Sequence, residues 1–368
     1  MAKIILATGG TGGHIFPALA VADELKTRGL KDLQLIFMGG KYGQEKSLVP
    51  KSGYNIMLLP VKGILGKGLS SASNIVLVFF SMFKGYLFLR RFKPDIVMGF
   101  GGYASFVPVF LATKMGISTC IHEQNSFPGF TNRFLGKRVD KIFLSFPDTR
   151  GVFPRYRTLV VGNPVRADFL RESEGENGHI EGANKRMNLL VVGGSQGAKG
   201  INDIIIDSLT IFKKLGVRIY HQTGSMDYER VCQAYVANNM KEFKVEPFIS
   251  NMAKAYRWAD LVVCRAGAST IFELAVMGKP SVLIPYPYAA NNHQRVNAKF
   301  LEQGGGAIVL EQSYLKNNRL GSVVADLIAI PGRLKQMSKA VKKLARPDAT
   351  KRIVDVLIEM LNITLNSA

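Results

Sequence analysis

The feature that constrains this chain most is a unit that occurs twice. IILATGGTGGH, followed by FPALAVADEL, is echoed by LLVVGGSQGAKG and INDIIIDSL. In each case a short apolar run ends in a glycine turn and passes into a helical stretch, with Gly9 and Gly193 at the same point of the unit. Strand, tight turn and helix in that order open a βαβ half. A chain that opens such a half twice is better explained by two Rossmann-like halves than by one long sheet. The length of 368 residues fits the same division, at about 100–200 residues per domain.

The alternation of apolar runs with amphipathic stretches continues along the chain and predicts an α/β fold built on parallel sheets. Expected strands are 4–7, 33–38, 95–100, 118–122, 141–146 and 158–161 in the first half. In the second they are 188–192, 217–221, 244–249, 261–264, 281–285 and 307–310. Runs such as LLVV and LVVC are continuously apolar, as strands buried on both faces should be. Gly162 and Pro164 interrupt the pattern within GNPVR and mark the boundary. The domains expected are therefore 1–163, 164–340, and a C-terminal helix, 341–368, that packs back on the first. The hydrophilic stretch 172–185 reads as an exposed connection. The tail beyond Pro331 reads as two basic helices broken at Pro347, the last starting at Ala349.

Lys and Arg number 48 against 27 Asp and Glu, and 48 − 27 gives a net charge of +21. Such a charge admits nucleic acid, an anionic membrane or a phosphate-rich substrate as partner. No nucleic-acid module is recognisable, and the aromatics lie in an apolar run instead of alternating with basic residues, so nucleic acid is not expected. Cys120, Cys232 and Cys264 are odd in number and far apart, which excludes a disulfide framework and a cysteine zinc site and fits a reducing compartment. The opening residues carry too short an apolar run for a secretory signal. No stretch reaches the roughly 20 apolar residues of a membrane span. The nearest, 74–89, contains Lys84 and Gly85 and stops at Arg90.

Three glycine loops carry most of the chemical information: Gly9–His14, Gly99–Ser105 and Gly193–Ala198. Each lies between an apolar strand and a helix, where free amides and the helix dipole attract phosphate. One such loop can be mere packing; three favour a phosphorylated ligand. The dinucleotide fingerprint fits poorly, because Ile15 occupies the third glycine position and Gly39 and Gly40 end the second strand in place of the ribose-binding acid. A Walker A loop fails as well, since Lys199 is followed by Gly200. The chain has no D-x-D and no metal-ligand spacing, so no cofactor or metal is expected.

Taken together, GGTGGHIFPALA, HEQNSFPGFTNR, GGSQGA, CRAGASTIFELA and NNHQRVNA resemble the MurG family, in that order from Gly9 to Ala298. Its members are peripheral-membrane N-acetylglucosaminyltransferases of peptidoglycan synthesis. The resemblance implies a GT-B fold, two Rossmann-like domains facing each other across a cleft. It also implies UDP-GlcNAc as donor and lipid I as acceptor, converted to lipid II; the alternative is another GT-B enzyme using a UDP-sugar, a glycolipid-forming transferase or a UDP-sugar epimerase. The resemblance implies an inverting, metal-independent attack by the acceptor 4-hydroxyl. For catalysis His14 is the expected base, with Glu123 as second candidate; His122–Glu123 could equally pair as base and orienter. The donor side would comprise Thr11, Gly12, Gly13, Asn125, Arg166, Ser195, Phe248, Ile249, Arg265, Ala268, Ser269, Thr270, Glu273 and Gln294. The acceptor side would comprise Gly102, Tyr103, His122 and Asn132.

The residues support these roles unequally. His14 closes a glycine loop at a helix start, where an imidazole can serve as base or bind phosphate, or only as a structural hydrogen-bonder. Glu273 can accept two sugar hydroxyls, but Thr270-x-x-Glu273 also reads as a capping box. Arg265 offers the diphosphate a cation. Phe248 and Ile249 either wall the base or pack in the core. The one departure from the family pattern is CRAGAST for CRSGALT, which bears on Ser269. Ile75, Phe79, Phe80, Phe83 and Lys84, with Arg90, Arg91, Lys137 and Arg138, read as a patch for the anionic cytoplasmic face of the inner membrane. Other cell-wall synthesis proteins are possible partners.

Overall fold

In the computed structural model, described for residues 2–61, 71–148, 150–175, 186–194, 197–315 and 318–366, the apolar runs form two sheets whose strands all pair in parallel. The first contains β1 (Lys3–Ala7), β2 (Gln34–Gly40), β3 (Ile56–Leu59), β4 (Ile96–Gly99), β5 (Ser118–Glu123), β6 (Lys141–Leu144) and β7 (Thr158–Val160). Its order is β3-β2-β1-β4-β5-β6-β7. The second contains β8 (Asn188–Val192), β9 (Arg218–Gln222), β10 (Phe243–Glu246), β11 (Leu261–Cys264), β12 (Ser281–Leu283) and β13 (Ala307–Val309), in the order β10-β9-β8-β11-β12-β13. Each order reverses direction beside its own first strand, between β1 and β4 and between β8 and β11. In doubly wound sheets ligands bind at the carboxyl ends of the strands flanking such a switch point.

The compact units are Met1–Arg166 together with Pro347–Ala368, and Ala167–Arg346. In the first, β1 shows why the strands read as unbroken apolar runs. Ile4 and Leu6 enter one core with Ile15, Leu19 and Phe37, while Ile5 and Ala7 enter another with Met38, Val97 and Ile121. The helix Ala349–Asn366 brings Ile353, Val354, Leu357, Met360 and Leu361 into the first of these cores. Each such burial contributes about 1.5–3 kcal/mol, which ties the end of the chain to its beginning. In the second unit Leu189, Val191, Ile205, Phe212, Ile219 and Tyr235 form the main core.

Two elements differ from the sequence expectation. β3 is a half-buried strand at the sheet edge, and its IMLL run is too short to stand out from its surroundings. β10 stops at Glu246 because Pro247 follows, so Phe248 and Ile249 lie in the loop beyond it. Of the connection at 172–185, residues 172–173 end the helix Ala167–Ser173, and 176–185 lie outside the described residues.

Candidate active site

At the β1–β4 switch point two glycine loops interlock. Gly102 has φ +79° and a Cβ there would come 2.5 Å from the Gly9 carbonyl oxygen, so only glycine allows this approach. A Cβ on Gly9 would likewise meet Ala104 at 2.6 Å. Thr11 precedes the helix Gly12–Thr27, and the His14 amide donates to the Thr11 carbonyl at 3.0 Å. The half-buried His14 ring lies against Gly101: a Cβ there would be 3.1 Å from His14 Cδ2 and 3.5 Å from Asn132 Nδ2. Exposed Tyr103 begins the helix Tyr103–Lys114. The Arg166 guanidinium stacks 4.7 Å from the Phe16 ring of the first helix, beside the same loop.

Sequence reasoning missed Glu45 here. Its buried carboxylate accepts the Gly10 amide at 3.0 Å and the Gly40 amide at 2.8 Å, tying the first glycine loop to the end of β2. The acid absent from the end of β2 is thus supplied from five residues further along, and it holds backbone. The only sequence signal was an acidic residue close behind a strand that ends in two glycines.

At the exit of β5 the side chains of His122 and Glu123 take up separate partners, as neighbours in a strand face opposite sides of the sheet. His122 is fully buried; its Nδ1 lies 3.1 Å from the Gln124 amide nitrogen, and its Nε2 lies 3.2 Å from the Gly162 carbonyl and 3.3 Å from Ser145 Oγ. That network assigns the proton to Nε2, donating to Gly162. Burial lowers the pKa to about 4, so the ring is neutral. Glu123 accepts from the amides of Asn125 and Gly129 at 2.9 and 3.1 Å, and from Asn132 Nδ2 at 2.9 Å. Burial still raises its pKa, against the pull of those donors. Glu123 is therefore the clamp of the 124–129 loop and His122 the tie to the segment at Gly162, so neither side chain is open to substrate. Asn132 is equally buried, donating also to the His122 carbonyl at 3.0 Å. Thr8 Oγ1, Gln124 Oε1 and Asn132 Oδ1 are buried with no hydrogen-bond partner among the described residues, atoms of the kind that a ligand or water satisfies. Asn125 stands half-buried at the loop's start.

In the second unit the switch point brings together the loop after β8 and the turn after β11. Ser195 lies outside the described residues. Gly197, φ +77°, passes so close to the Thr223 carbonyl that a Cβ would overlap it. After β11 the helix Ala268–Met277 begins with Gly267 as N-cap and no side-chain cap. Its first hydrogen bond runs from the Ile271 amide to the Gly267 carbonyl, 3.0 Å, leaving the amides of Ala268, Ser269 and Thr270 directed out of the helix end. Thr270 is thus the third helical residue, so the alternative reading of Thr270–Glu273 as a capping box does not hold. Ser269 Oγ is buried without a hydrogen-bond partner among the described residues. Half-buried Glu273 lies close enough to Cys264 to help push that thiol's pKa up, behind burial itself.

Arg265 is more committed than the sequence showed. One guanidinium nitrogen donates to the carbonyls of Ile284 and Pro285 at 3.1 and 3.3 Å, the other to Gln312 Oε1 at 2.8 Å, and the group lies 5.5 Å from the Tyr286 ring. Burial lowers its pKa, but a guanidinium so far above neutrality stays charged. Gln294, in the helix His293–Gln303, accepts the Tyr286 amide at 2.9 Å, and buried Asn297 reaches the Ala266 carbonyl at 3.3 Å. Phe248 is 56% exposed, whereas Ile249 is buried with its amide donating to Gln222 Oε1 at 2.9 Å.

On the first unit the helix Ser71–Phe92 packs Val78, Met82, Leu89 and Phe92 inward, with Gly85 lying against Val107 and Leu111. Val76, Phe79, Phe80, Phe83 and Leu87 project outward, Phe79 at 72% exposure. The side chain of Ile75 is not among those described. Lys84 reaches the Leu58 carbonyl at 3.2 Å, and Arg90 and Arg91 follow at the exposed helix end. An open groove of about 590 Å³, lined by Phe130, Arg133, Phe134, Lys137, Arg138 and Val152, lies nearby on the same unit. The helix Tyr103–Lys114 packs against both this groove's helix and Ser71–Phe92.

Two open parallel sheets, each gathering glycine turns and helix starts at its switch point, give the chain the GT-B architecture. Residues 4–144 match the glycosyltransferase family 28 N-terminal domain and residues 188–353 its C-terminal domain. The chain belongs to that family, in its MurG branch, as its full-length relatives show. A protein of Nitratidesulfovibrio vulgaris strain Hildenborough, named UDP-N-acetylglucosamine–N-acetylmuramyl-(pentapeptide) pyrophosphoryl-undecaprenol N-acetylglucosamine transferase, is 44% identical over 99% of both chains. One of the same name from Myxococcus xanthus is 41% identical over 98% of this chain and 94% of its own. The crystal structure of Acinetobacter baumannii MurG superposes with a TM-score of 0.78 at 32% identity, over 98% of this chain and 100% of that one. A UDP-GlcNAc 2-epimerase from Neisseria meningitidis, at 15% identity and TM-score 0.66 over 97% of this chain and 100% of that one, shares the fold alone.

Proposed function

We propose that this protein transfers N-acetylglucosamine from UDP-GlcNAc to the 4-hydroxyl of the MurNAc residue of undecaprenyl-pyrophosphoryl-MurNAc-pentapeptide, turning lipid I into lipid II. The observation that carries this reading is identity of 41–44% along the whole chain, both halves included, with transferases named for that reaction.

The acceptor oxygen attacks the anomeric carbon, the bond to UDP breaks with inversion, and the proton passes to His14. His14 is the base because it alone among the first unit's candidates is only half-buried; His122 and Glu123 are buried and committed. The departing diphosphate is met by the amides of Ala268, Ser269 and Thr270, by Ser269 Oγ and by the dipole of their helix, with the charge of Arg265 nearby. These groups supply stabilisation that a divalent cation provides elsewhere, which supports a metal-independent reaction. Phe248 offers a face for the uracil and Glu273 a carboxylate for hydroxyls. The outward phenylalanines of Ser71–Phe92 and the basic groove support a peripheral site on the anionic cytoplasmic face of the membrane, where each Lys or Arg adds about 1 kcal/mol.

The test is UDP release from UDP-GlcNAc with a short-chain lipid I analogue in EDTA. Release that requires the acceptor is expected. A folded protein that binds UDP yet releases none with that analogue would overturn the acceptor assignment, and release that only added metal restores would overturn the metal-free mechanism.

A further inference from the structure

Gln222 ends β9, the strand lying between β8 and β10, so the loops that leave its two neighbours pass on either side of it. Its side chain is 1% exposed and fully used. Nε2 donates to the Gly194 carbonyl at 2.7 Å, and Oε1 accepts the Ile249 amide at 2.9 Å. One amide thereby joins the glycine turn after β8 to the segment after β10 that carries exposed Phe248. The backbone around it is pinned as well: Thr223 and Gly224 donate to Glu246 and Pro247, and the His221 ring beneath is held by Asn202 and Tyr235.

We infer that Gln222 is a positioning residue for the donor nucleotide, setting the spacing between the phosphate-side turn and the base-side segment; this rests on the donor being a UDP-sugar. The chemistry requires an amide. A carboxylate would accept from Ile249 but repel the Gly194 carbonyl, and an aliphatic side chain would leave a buried donor and a buried acceptor unpaired. Gln222 touches no reacting atom. Its loss should therefore appear in nucleotide affinity and base selectivity before it appears in turnover.

The experiment measures binding of UDP and ADP to the full chain and to Gln222→Leu and Gln222→Glu, together with KM for UDP-GlcNAc and for a lipid I analogue. Expected are a UDP affinity weakened about tenfold or more, a narrowed preference for UDP over ADP, a raised KM for UDP-GlcNAc and an unchanged KM for the acceptor. A variant that only loses thermal stability, with UDP affinity and selectivity intact, overturns the inference. Hydrogen exchange on the unaltered protein gives a reading that needs no variant. Saturating UDP should slow exchange in the 193–198 and 247–249 peptides together, and protection of one without the other overturns the coupling. Wild-type protein that binds UDP but transfers nothing defeats the proposed reaction and leaves this inference standing. Wild-type protein that does not bind UDP defeats both.

Discussion

His14 and His122 were alike in the sequence, each a histidine beside a loop at a strand end, and only burial and partners separate them. His122 is sealed, with both ring nitrogens engaged and its pKa down to about 4. His14 is only half-buried, at the head of a helix. The expected consequence for His14→Gln is a fall in kcat of about 10²–10⁴, the usual worth of a general base, with UDP affinity kept. Steady-state kinetics beside UDP titration checks it, and an equal loss in both would remove His14 from proton transfer. Glu123 was legible both as a catalytic candidate and as a cap stabilising the turn before Thr131, and its bonds from the amides of residues 125 and 129 are of the second kind. Arg265 was legible as a cation at the right turn; its commitment to Ile284, Pro285 and Gln312 depends on segments far along the chain.

At the level of elements, the sheets could be read because parallel strands covered on both faces become continuous apolar runs, as Asn188–Val192 and Leu261–Cys264 do. β3 escaped because its run is only four residues long and is largely half covered. At the helix Ala268–Met277 the sequence offered two readings, a glycine turn with free amides and a Thr270-x-x-Glu273 capping box, and the N-cap at Gly267 agrees with the first. In the helix Ser71–Phe92 the aromatics sit on several faces because it serves two environments, a core on one side and open solvent on the other. Replacing Phe79, Phe80 and Phe83 together with Ser should cut binding to phosphatidylglycerol vesicles by about 100-fold or more, while transfer to a soluble short-chain acceptor persists. Sedimentation with vesicles measures the first and UDP release the second. Undiminished vesicle binding would move the membrane contact elsewhere.

Across the whole molecule each unit carries a neutral histidine at the end of a strand, His122 with pKa lowered to about 4 and His221 to about 3, in both cases mainly by burial. Below the ordinary value of 6.5 the unfolded chain takes up these protons and the folded chain does not. Stability therefore falls as pH drops from 6.5 toward those lower values, by about 1.4 kcal/mol per pH unit for each histidine. Glu123, whose pKa burial raises, acts in the opposite sense in the first unit, so the second unit gives the cleaner reading. Urea unfolding of wild type and His221→Gln between pH 7.5 and 4.5, values on the order of one histidine titration, should show a flatter acid limb in the variant. Parallel limbs would assign acid sensitivity to other groups.

The Glu45 carboxylate gives the first unit an anion of its own. With Gly10 and Gly40 already engaged by it, that turn is complete before any substrate arrives. Among the described residues no side chain caps the helix start at Ala268, and in the proposed reaction the nucleotide sugar would be its complement. The first unit's turn is thus preorganised by its own side chain, whereas the second unit's helix start keeps its amides for a ligand. The enzyme's resting state should therefore lose mobility chiefly around the second unit's loops as the first substrate binds, which makes the nucleotide sugar the natural opener of a turnover.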